Sequence, residues 1–400
     1  MKLYTPRGVK DFLPEDAYWK YLLEQRIRKA FVRWGYQEVI TPTFEFFETL
    51  NIGSTSSEQT YKFLDQEGQL LALRPDITTP IARMVTTRFI NELKPLRFFY
   101  LLNVFRHDDV QVGRQREFYQ AGVELIGSDS AYADAEVVAL AIELFKTVGV
   151  LDFQLDIGQV DFFNGIMNGC VNSKTKADIR NALLRKDFVG LRNVINQSDL
   201  KPGTKKVLME LPRLRGRSEI LDVAASLVEN DVSLAALENI KAIYELLESY
   251  NVSEYVYIDL SMVKSLDYYT GMVLEGYAPN LGFTLCTGGR YDNLNVSSEY
   301  KNFATGFAMG LERLMLVLER QGHKPELIKT EILVIGPDRL RAAQYVAEQR
   351  NKGVIVEWDV LNFSLEQATE YAKAKGIKKI MVFANGAEQC ISIEGGEAQC

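Results

Sequence analysis

Arg97-Phe-Phe-Tyr-Leu-Leu-Asn-Val-Phe-Arg106 and Phe118-Tyr-Gln-Ala-Gly-Val-Glu-Leu-Ile126 are the two stretches that set the fold class. Both are rich in aromatic and β-branched residues, and a polar loop, His107 to Gln115 with Gly113 inside it, separates them. That pattern predicts two long antiparallel strands. Gln120, Gly122 and Glu124 alternate, so on a strand they share one face. Two large polar residues in an otherwise apolar strand, with a glycine between them, fit a polar-walled pocket. They fit a solvated sheet face equally well.

Upstream, Tyr61-Lys-Phe-Leu-Asp65 and Gln69-Leu-Leu-Ala-Leu-Arg74 flank a Gln-Glu-Gly turn and predict a hairpin of the same antiparallel sheet. Residues 15–34 repeat Trp19, Leu23, Ile27, Ala30, Phe31 and Trp34 at helical steps, with Gly35 as the stop. A second helix is expected over 132–148. Over about 175–250 Ala, Leu, Glu, Lys and Arg dominate, which predicts an all-helical insertion. Strands return at 255–259, 271–277 and 283–286, and a helix is expected at about 306–320. A linker at 321–330 leads to a β-α-β-α-β alternation, the pattern of a small parallel α/β domain. The expected class is α+β, an antiparallel sheet flanked by helices, with domains at 1–320 and 330–400.

Composition narrows the function. The chain has 400 residues, 47% apolar and 25% charged, with net charge −7. The C-terminal stretch 331–400 carries 8 Lys and Arg against 10 Asp and Glu. An acidic chain lacks the footprint of a nucleic-acid binder. There is no apolar run long enough for a membrane helix and no signal-peptide core at the start. The four cysteines are scattered and only two histidines occur. Neither a disulfide framework nor a metal site is expected, and a cytoplasmic location is.

Four clusters carry the candidate chemistry. In Leu73-Arg-Pro-Asp76-Ile-Thr78, an acid and a hydroxyl beside a turn can hold an ammonium group. Taken alone, they read first as a helix N-cap. The second cluster is the Gln120–Glu124 strand, with Arg106 and Arg114 at the loop as anion-binding candidates. The third is Lys264-Ser-Leu-Asp-Tyr268-Tyr269-Thr-Gly271 with Thr287-Gly-Gly-Arg-Tyr-Asp292. It reads either as two rings lining a pocket over close-approaching glycines or as a bulge and turn. In the fourth, Thr305-Gly-Phe-Ala-Met-Gly-Leu-Glu-Arg313, the arginine by itself reads as a snorkelling surface residue.

The order and spacing of these clusters resemble the class II aminoacyl-tRNA synthetase core, and within it the histidyl-tRNA synthetase family. Thr5 to Pro14 looks like that family's start, and Gly35-Tyr-Gln-Glu-Val-Ile-Thr-Pro42 looks like motif 1, which usually builds a dimer interface. Phe105 to Glu124 looks like motif 2 and 304–314 like motif 3. Leu266 to Gly271 and Gly288 to Asp292 look like the histidine-specific blocks. Three departures stand out. Lys264-Ser265 replaces Arg-Gly, and lysine lacks the planar bidentate fork. Asp108-Asp109-Val110 stands where Glu-Arg-Pro is usual. Leu-Arg-Pro-Asp76-Ile-Thr78 replaces Leu-Arg-Pro-Glu-Gly-Thr.

These departures are similar to the synthetase-like paralogue family that regulates histidine biosynthesis, the ATP phosphoribosyltransferase regulatory subunits. That resemblance implies no catalytic residue and no cofactor. It implies a short-form ATP phosphoribosyltransferase catalytic subunit as partner, self-association through the motif 1 region and no tRNA. L-Histidine would be bound by Asp76, Thr78 and Gln120 at its amino group and by Glu124 and Tyr269 at its imidazole. Tyr268 would line the pocket and Lys264 would meet the carboxylate. Arg106, Arg114 and Arg313 would be vestiges of an ATP site. The alternative is a divergent histidyl-tRNA synthetase. The C-terminal module is shorter and more acidic than a domain that reads an anticodon.

Overall fold

Pro14 opens the first helix, Pro14–Arg33, with Glu15 and Asp16 in its first turn, where acids suit the helix dipole. Its stripe of Trp19, Leu23, Ile27, Ala30 and Phe31 is buried, and Gly35 follows at φ +80°, a left-handed position that glycine takes without strain. This computed structural model describes residues 3–51, 59–107, 115–168, 170, 172–263, 269–279, 281–292 and 303–393. The chain divides into two compact units, Met1–Lys324 and Pro325–Cys400.

Nine described strands make the large sheet of the first unit. In spatial order they are Gln37–Glu38, Leu96–Phe105, Glu117–Ile126, Ala304–Gly310, Cys286–Arg290, Met272–Tyr277, Gln154–Gln159, Val256–Asp259 and Arg215–Gly216. The pairings are antiparallel except Gln37–Glu38 with Leu96–Phe105 and Gln154–Gln159 with Val256–Asp259. Leu96–Phe105 faces Glu117–Ile126 with Phe99 opposite Val123 and Tyr100 opposite Gly122. Phe99, Ala121, Val123 and Leu125 join the main core with the helices Pro14–Arg33 and Ala131–Val148. Phe98, Tyr100 and Val104 point the other way, into a second core under helix Thr78–Arg88 with Ile77, Ile81 and Val85. The two faces of one strand pair therefore divide the unit's interior.

The stretch 173–249 is helical as expected, with Ser173–Leu184, Phe188–Gln197, Pro202–Glu210, Glu219–Ala225 and Asp231–Ser249, broken by a short strand at Arg215–Gly216. Two expectations are corrected. The hairpin Lys62–Leu64/Leu70–Leu73 forms, but it belongs to a separate three-stranded sheet with Phe44–Phe46. Residues 304–310 form a strand and not the start of a helix; the helix begins at Leu311. Of the two readings left open for the Gly288-Gly289 block, the turn does not hold: residues 286–290 are a sheet strand.

Arg74 ties the small sheet to the large one. It is 2% exposed, and its guanidinium donates to Asn103 O and Oδ1 (both 2.8 Å), Thr41 O (2.6 Å) and Pro42 O (3.1 Å). A buried cation satisfied by that many acceptors holds its surroundings to one geometry.

In the second unit the sheet order is Val356–Trp358, Ile332–Ile335, Lys379–Ala384, Ala387–Ser392. Alternate residues of Ile332–Ile335 enter opposite cores. Ile332 and Val334 pack with Ala342 and Val346 of helix Arg339–Asn351, and Leu333 and Ile335 pack with Ala368 and Ala372 of helix Leu365–Lys375. The first three strands are parallel, as expected. The fourth is antiparallel and was not foreseen. Its hairpin turns at Asn385-Gly386, both at positive φ, a pair favoured in two-residue hairpin loops. Cys170 and Cys286 are free and Cys390 is disulfide-bonded, a single bond that the expectation of no disulfide framework did not include.

Candidate functional site

Asp76 Oδ1 accepts the backbone N–H of Thr79 at 2.9 Å, in the first turn of helix Thr78–Arg88, and the residue also lines a cavity. That cavity, about 150 Å³, lies on the sheet between Leu96–Phe105, Glu117–Ile126, Ala304–Gly310 and Cys286–Arg290. It brings together Asp76, Thr78, Gln120, Glu124 and Tyr269, along with Arg106 and Arg313. Lys264, Tyr268 and Arg114 lie outside the described residues.

Glu124 sits on the cavity floor, 2% exposed. Thr78 Oγ1 donates to its Oε1 at 2.8 Å, and the Tyr291 hydroxyl donates to its Oε2. Burial pushes its carboxyl up to about 8; the two hydrogen bonds pull down, and the nearby Asp76 pushes up. Gly306 pairs directly with Glu124 in the neighbouring strand, and a Cβ there would run into the Glu124 carboxylate. Gly122 likewise makes way for the ring of Tyr100, which is fully buried. Burial, with Glu124 and Asp76 nearby, holds the Tyr100 phenol well above its usual range.

Two arginines bring the opposite charge, each braced by the protein. Arg106 Nε donates to Pro75 O at 2.7 Å, with its guanidinium over the Phe118 ring at 5.5 Å. Arg313 donates to Thr284 O at 2.5 Å and lies over Phe283 at 5.3 Å. Arg313 is thus a cavity residue and not a snorkelling one. A cavity with two carboxyls and two guanidiniums suits a small amphoteric molecule that offers N–H donors to the acids and an anion to the arginines.

Tyr291, Tyr100 and Gly306 complete the site and were not singled out from the sequence. Tyr291 follows directly after strand Cys286–Arg290, beyond its paired glycines. Beside it, Arg290 donates to Asp134 at 3.0 Å, Ser128 O at 2.8 Å and Asp292 at 3.3 Å, with both Arg290 and Asp134 buried. A Cβ on Gly271 would press on the Arg290 side chain, and Thr270 N–H donates to Arg290 O at 2.9 Å. The backbone at residue 290 thereby anchors the segment that carries Tyr269. Among the described residues no group of three or more His, Cys, Asp or Glu is placed to hold a metal, and no helix is long and apolar enough to cross a membrane.

The family model for histidyl-tRNA synthetase matches residues 8–314. A histidyl-tRNA synthetase from Nostoc sp. PCC 7120 shares the fold, with a TM-score of 0.80 at 20% identity over 98% of this chain and 97% of that one. The architecture is the α+β fold of the class II, histidyl-tRNA synthetase-like proteins. Closer similarity is to one branch. The ATP phosphoribosyltransferase regulatory subunits of Acetivibrio thermocellus and Desulforamulus reducens are 39% and 40% identical. The matches cover 95% and 94% of this chain and 92% and 94% of theirs. A crystal structure of an ATP phosphoribosyltransferase regulatory subunit/histidyl-tRNA synthetase from Bacillus halodurans matches with a TM-score of 0.86 at 33% identity, covering 97% of this chain and all of that one. The chain belongs to the ATP phosphoribosyltransferase regulatory subunit family.

Proposed function

We propose that this chain is a non-catalytic subunit that binds free L-histidine in the cavity around Glu124. It joins a short-form ATP phosphoribosyltransferase catalytic chain, activates it and makes it sensitive to histidine. The observation that carries the reading is the convergence of Asp76, Thr78, Gln120, Glu124 and Tyr269 on one cavity from three separate parts of the sequence. In this reading Asp76, Thr78 and Gln120 receive the ammonium group. Glu124 and Tyr269 read the imidazole, Tyr268 lines the pocket, and Lys264 meets the carboxylate. Each charge-assisted hydrogen bond contributes roughly 1.5–3 kcal/mol. A few of them reach the roughly 8 kcal/mol of micromolar binding without any chemistry.

The phosphate-handling positions support loss of activation. Lys264 replaces a bidentate arginine, Asp108 and Asp109 add negative charge, and Arg106 and Arg313 are engaged with backbone carbonyls. We read Arg106, Arg114 and Arg313 as structural remnants of a nucleotide site. Residues 1–320 act as the synthetase-like core, with the helical insertion at about 175–250, and 330–400 as a truncated relative of an anticodon-binding domain, in a cytoplasmic protein. Exposed Ile40, Phe44, Phe46 and Leu64 support self-association through the motif 1 region.

Regulation requires that histidine bind one state of the assembly better than another. Typical couplings are about 1–3 kcal/mol, or roughly 5- to 150-fold in affinity. The test is to purify the chain with and without a short catalytic chain. The reading expects co-elution, a faster partner and inhibition by histidine. Histidine-dependent ATP–pyrophosphate exchange by this chain alone would favour the divergent synthetase instead.

A further inference from the structure

Two buried tyrosines stand beside Glu124 in the second core, Tyr100 at 1% exposed and Tyr291 at 5%. Both line the cavity. The Tyr291 hydroxyl is committed to the protein, since it donates to Glu124 Oε2. The Tyr100 hydroxyl makes no hydrogen bond with any described residue. We propose that Tyr100 is a ligand-contacting residue of this cavity: its hydroxyl hydrogen-bonds an imidazole nitrogen of the bound histidine and makes the site selective for a ring that carries one. The inference rests on the reading of the cavity as a histidine site, and it names a residue to which that reading gives no role.

The strand pair aims the phenol at the cavity. Tyr100 lies opposite Gly122, which stands between Gln120 and Glu124 on their shared face. A Cβ on Gly122 would collide with Tyr100 Oη and Cζ. The glycine thus leaves the space that the phenol tip fills, at a strand position flanked by two pocket residues. Phe98, two residues before Tyr100, shares its face and its apolar core with a ring and no hydroxyl. A phenylalanine serves the packing there, so the Tyr100 oxygen calls for a reason other than packing. A hydroxyl withdrawn from water lowers stability unless a new partner replaces the lost hydrogen bond. A polar ligand in the cavity supplies that partner.

The neighbouring charges put the hydroxyl at the imidazole end of the ligand. Burial, then Glu124, then Asp76 hold the phenol well above its usual range, and of the two acids Glu124 acts on it more strongly. In the histidine reading Glu124 receives the ring, and Asp76 receives the ammonium group. The hydroxyl keeps its proton at neutral pH. A neutral phenol donates to a bare ring nitrogen and accepts from a ring N–H, so it serves either tautomer of the imidazole. An apolar ring of the same size would leave the hydroxyl unpaired, which is how a buried polar group rejects an isostere.

The test compares the full wild-type chain with Tyr100→Phe, which keeps the ring and removes its oxygen. L-Histidine and L-histidinol, which retains the imidazole and the amine without the carboxylate, are titrated by calorimetry. Thermal melts are recorded without ligand. The expected result is about tenfold weaker binding of both ligands, the loss of one hydrogen bond. The unliganded melting temperature should equal or exceed that of wild type, because the oxygen removed has no partner in the empty cavity. A lower melting temperature would show that the hydroxyl serves the fold, and would refute the proposal. Histidine binding at wild-type strength in Tyr100→Phe would overturn the contact while leaving the regulatory reading intact. Weaker histidine binding with histidinol unaffected would put the hydroxyl at the carboxylate, against the imidazole assignment. No histidine binding by the wild-type chain would overturn the reading itself, and this inference with it.

Discussion

Thr78 Oγ1 donates to Glu124 Oε1 across 2.8 Å, linking the first turn of a helix to the middle of a sheet strand 46 residues further on. With the Tyr291 hydroxyl on the other oxygen, both halves of a buried carboxyl are held in place. A ligand N–H meets an acceptor that needs no reorganisation, which favours binding. Replacing Glu124 by Gln removes the carboxyl that can ionise against a bound cation while keeping the shape. We expect L-histidine affinity to fall by roughly 10- to 100-fold, the loss of one hydrogen bond that becomes charge-assisted when ligand binds. Calorimetry on the two proteins checks this.

The same carboxyl makes stability depend on pH in a definite direction. Its folded value, about 8, lies above the ordinary 4.5 because of burial. Between those values the folded state keeps a proton that the unfolded state has lost, so the contribution of Glu124 to stability declines as pH rises from about 4.5 to 8. Without ligand, the wild-type melting temperature should therefore drop relative to Glu124→Gln across that window. Parallel curves for the two proteins between pH 5 and 8.5 would refute it.

Arg290 and Asp134 form an ion pair that is 7% and 0% exposed at the side chains. Removing one partner of a buried pair leaves an uncompensated charge and costs about 3–5 kcal/mol, whereas replacing both with apolar residues is often nearly neutral. Arg290→Met should be strongly destabilised in urea, and Arg290→Met/Asp134→Leu should recover most of the loss.

Much of this was legible in the sequence, and the failures have physical causes. The strand pair around Gln120 and Glu124 declared itself because aromatic and β-branched residues crowd it. Residues 304–310 misled because Gly306, Ala308 and Gly310, which face the cavity, are too small to mark alternation, while Phe307 falls in step with the helix that follows. Asn385-Gly386 is a hairpin signal that the sequence carries plainly, and it marks the antiparallel fourth strand. Alternation on the strand marks Gln120 and Glu124, whereas Tyr291 and Arg290 follow Gly288-Gly289, whose backbone freedom masks any strand pattern.

Gly306 shows what those small residues do. A methyl group there meets the Glu124 carboxylate and the Val123 carbonyl. Gly306→Ala should cost about 1–3 kcal/mol of stability through overpacking and weaken histidine binding by displacing Glu124. Urea unfolding and calorimetry on one preparation measure both effects. Full affinity in this variant would mean that Glu124 is not where the ligand binds.

The central claim is that a synthetase-like amino-acid pocket persists here as a sensor. Titration of L-histidine into this chain, alone and bound to its catalytic partner, tests it most directly. The account predicts saturable one-to-one binding that Glu124→Gln weakens and that partner association shifts in strength. No heat from histidine in either state, with the partner still assembled, would contradict it.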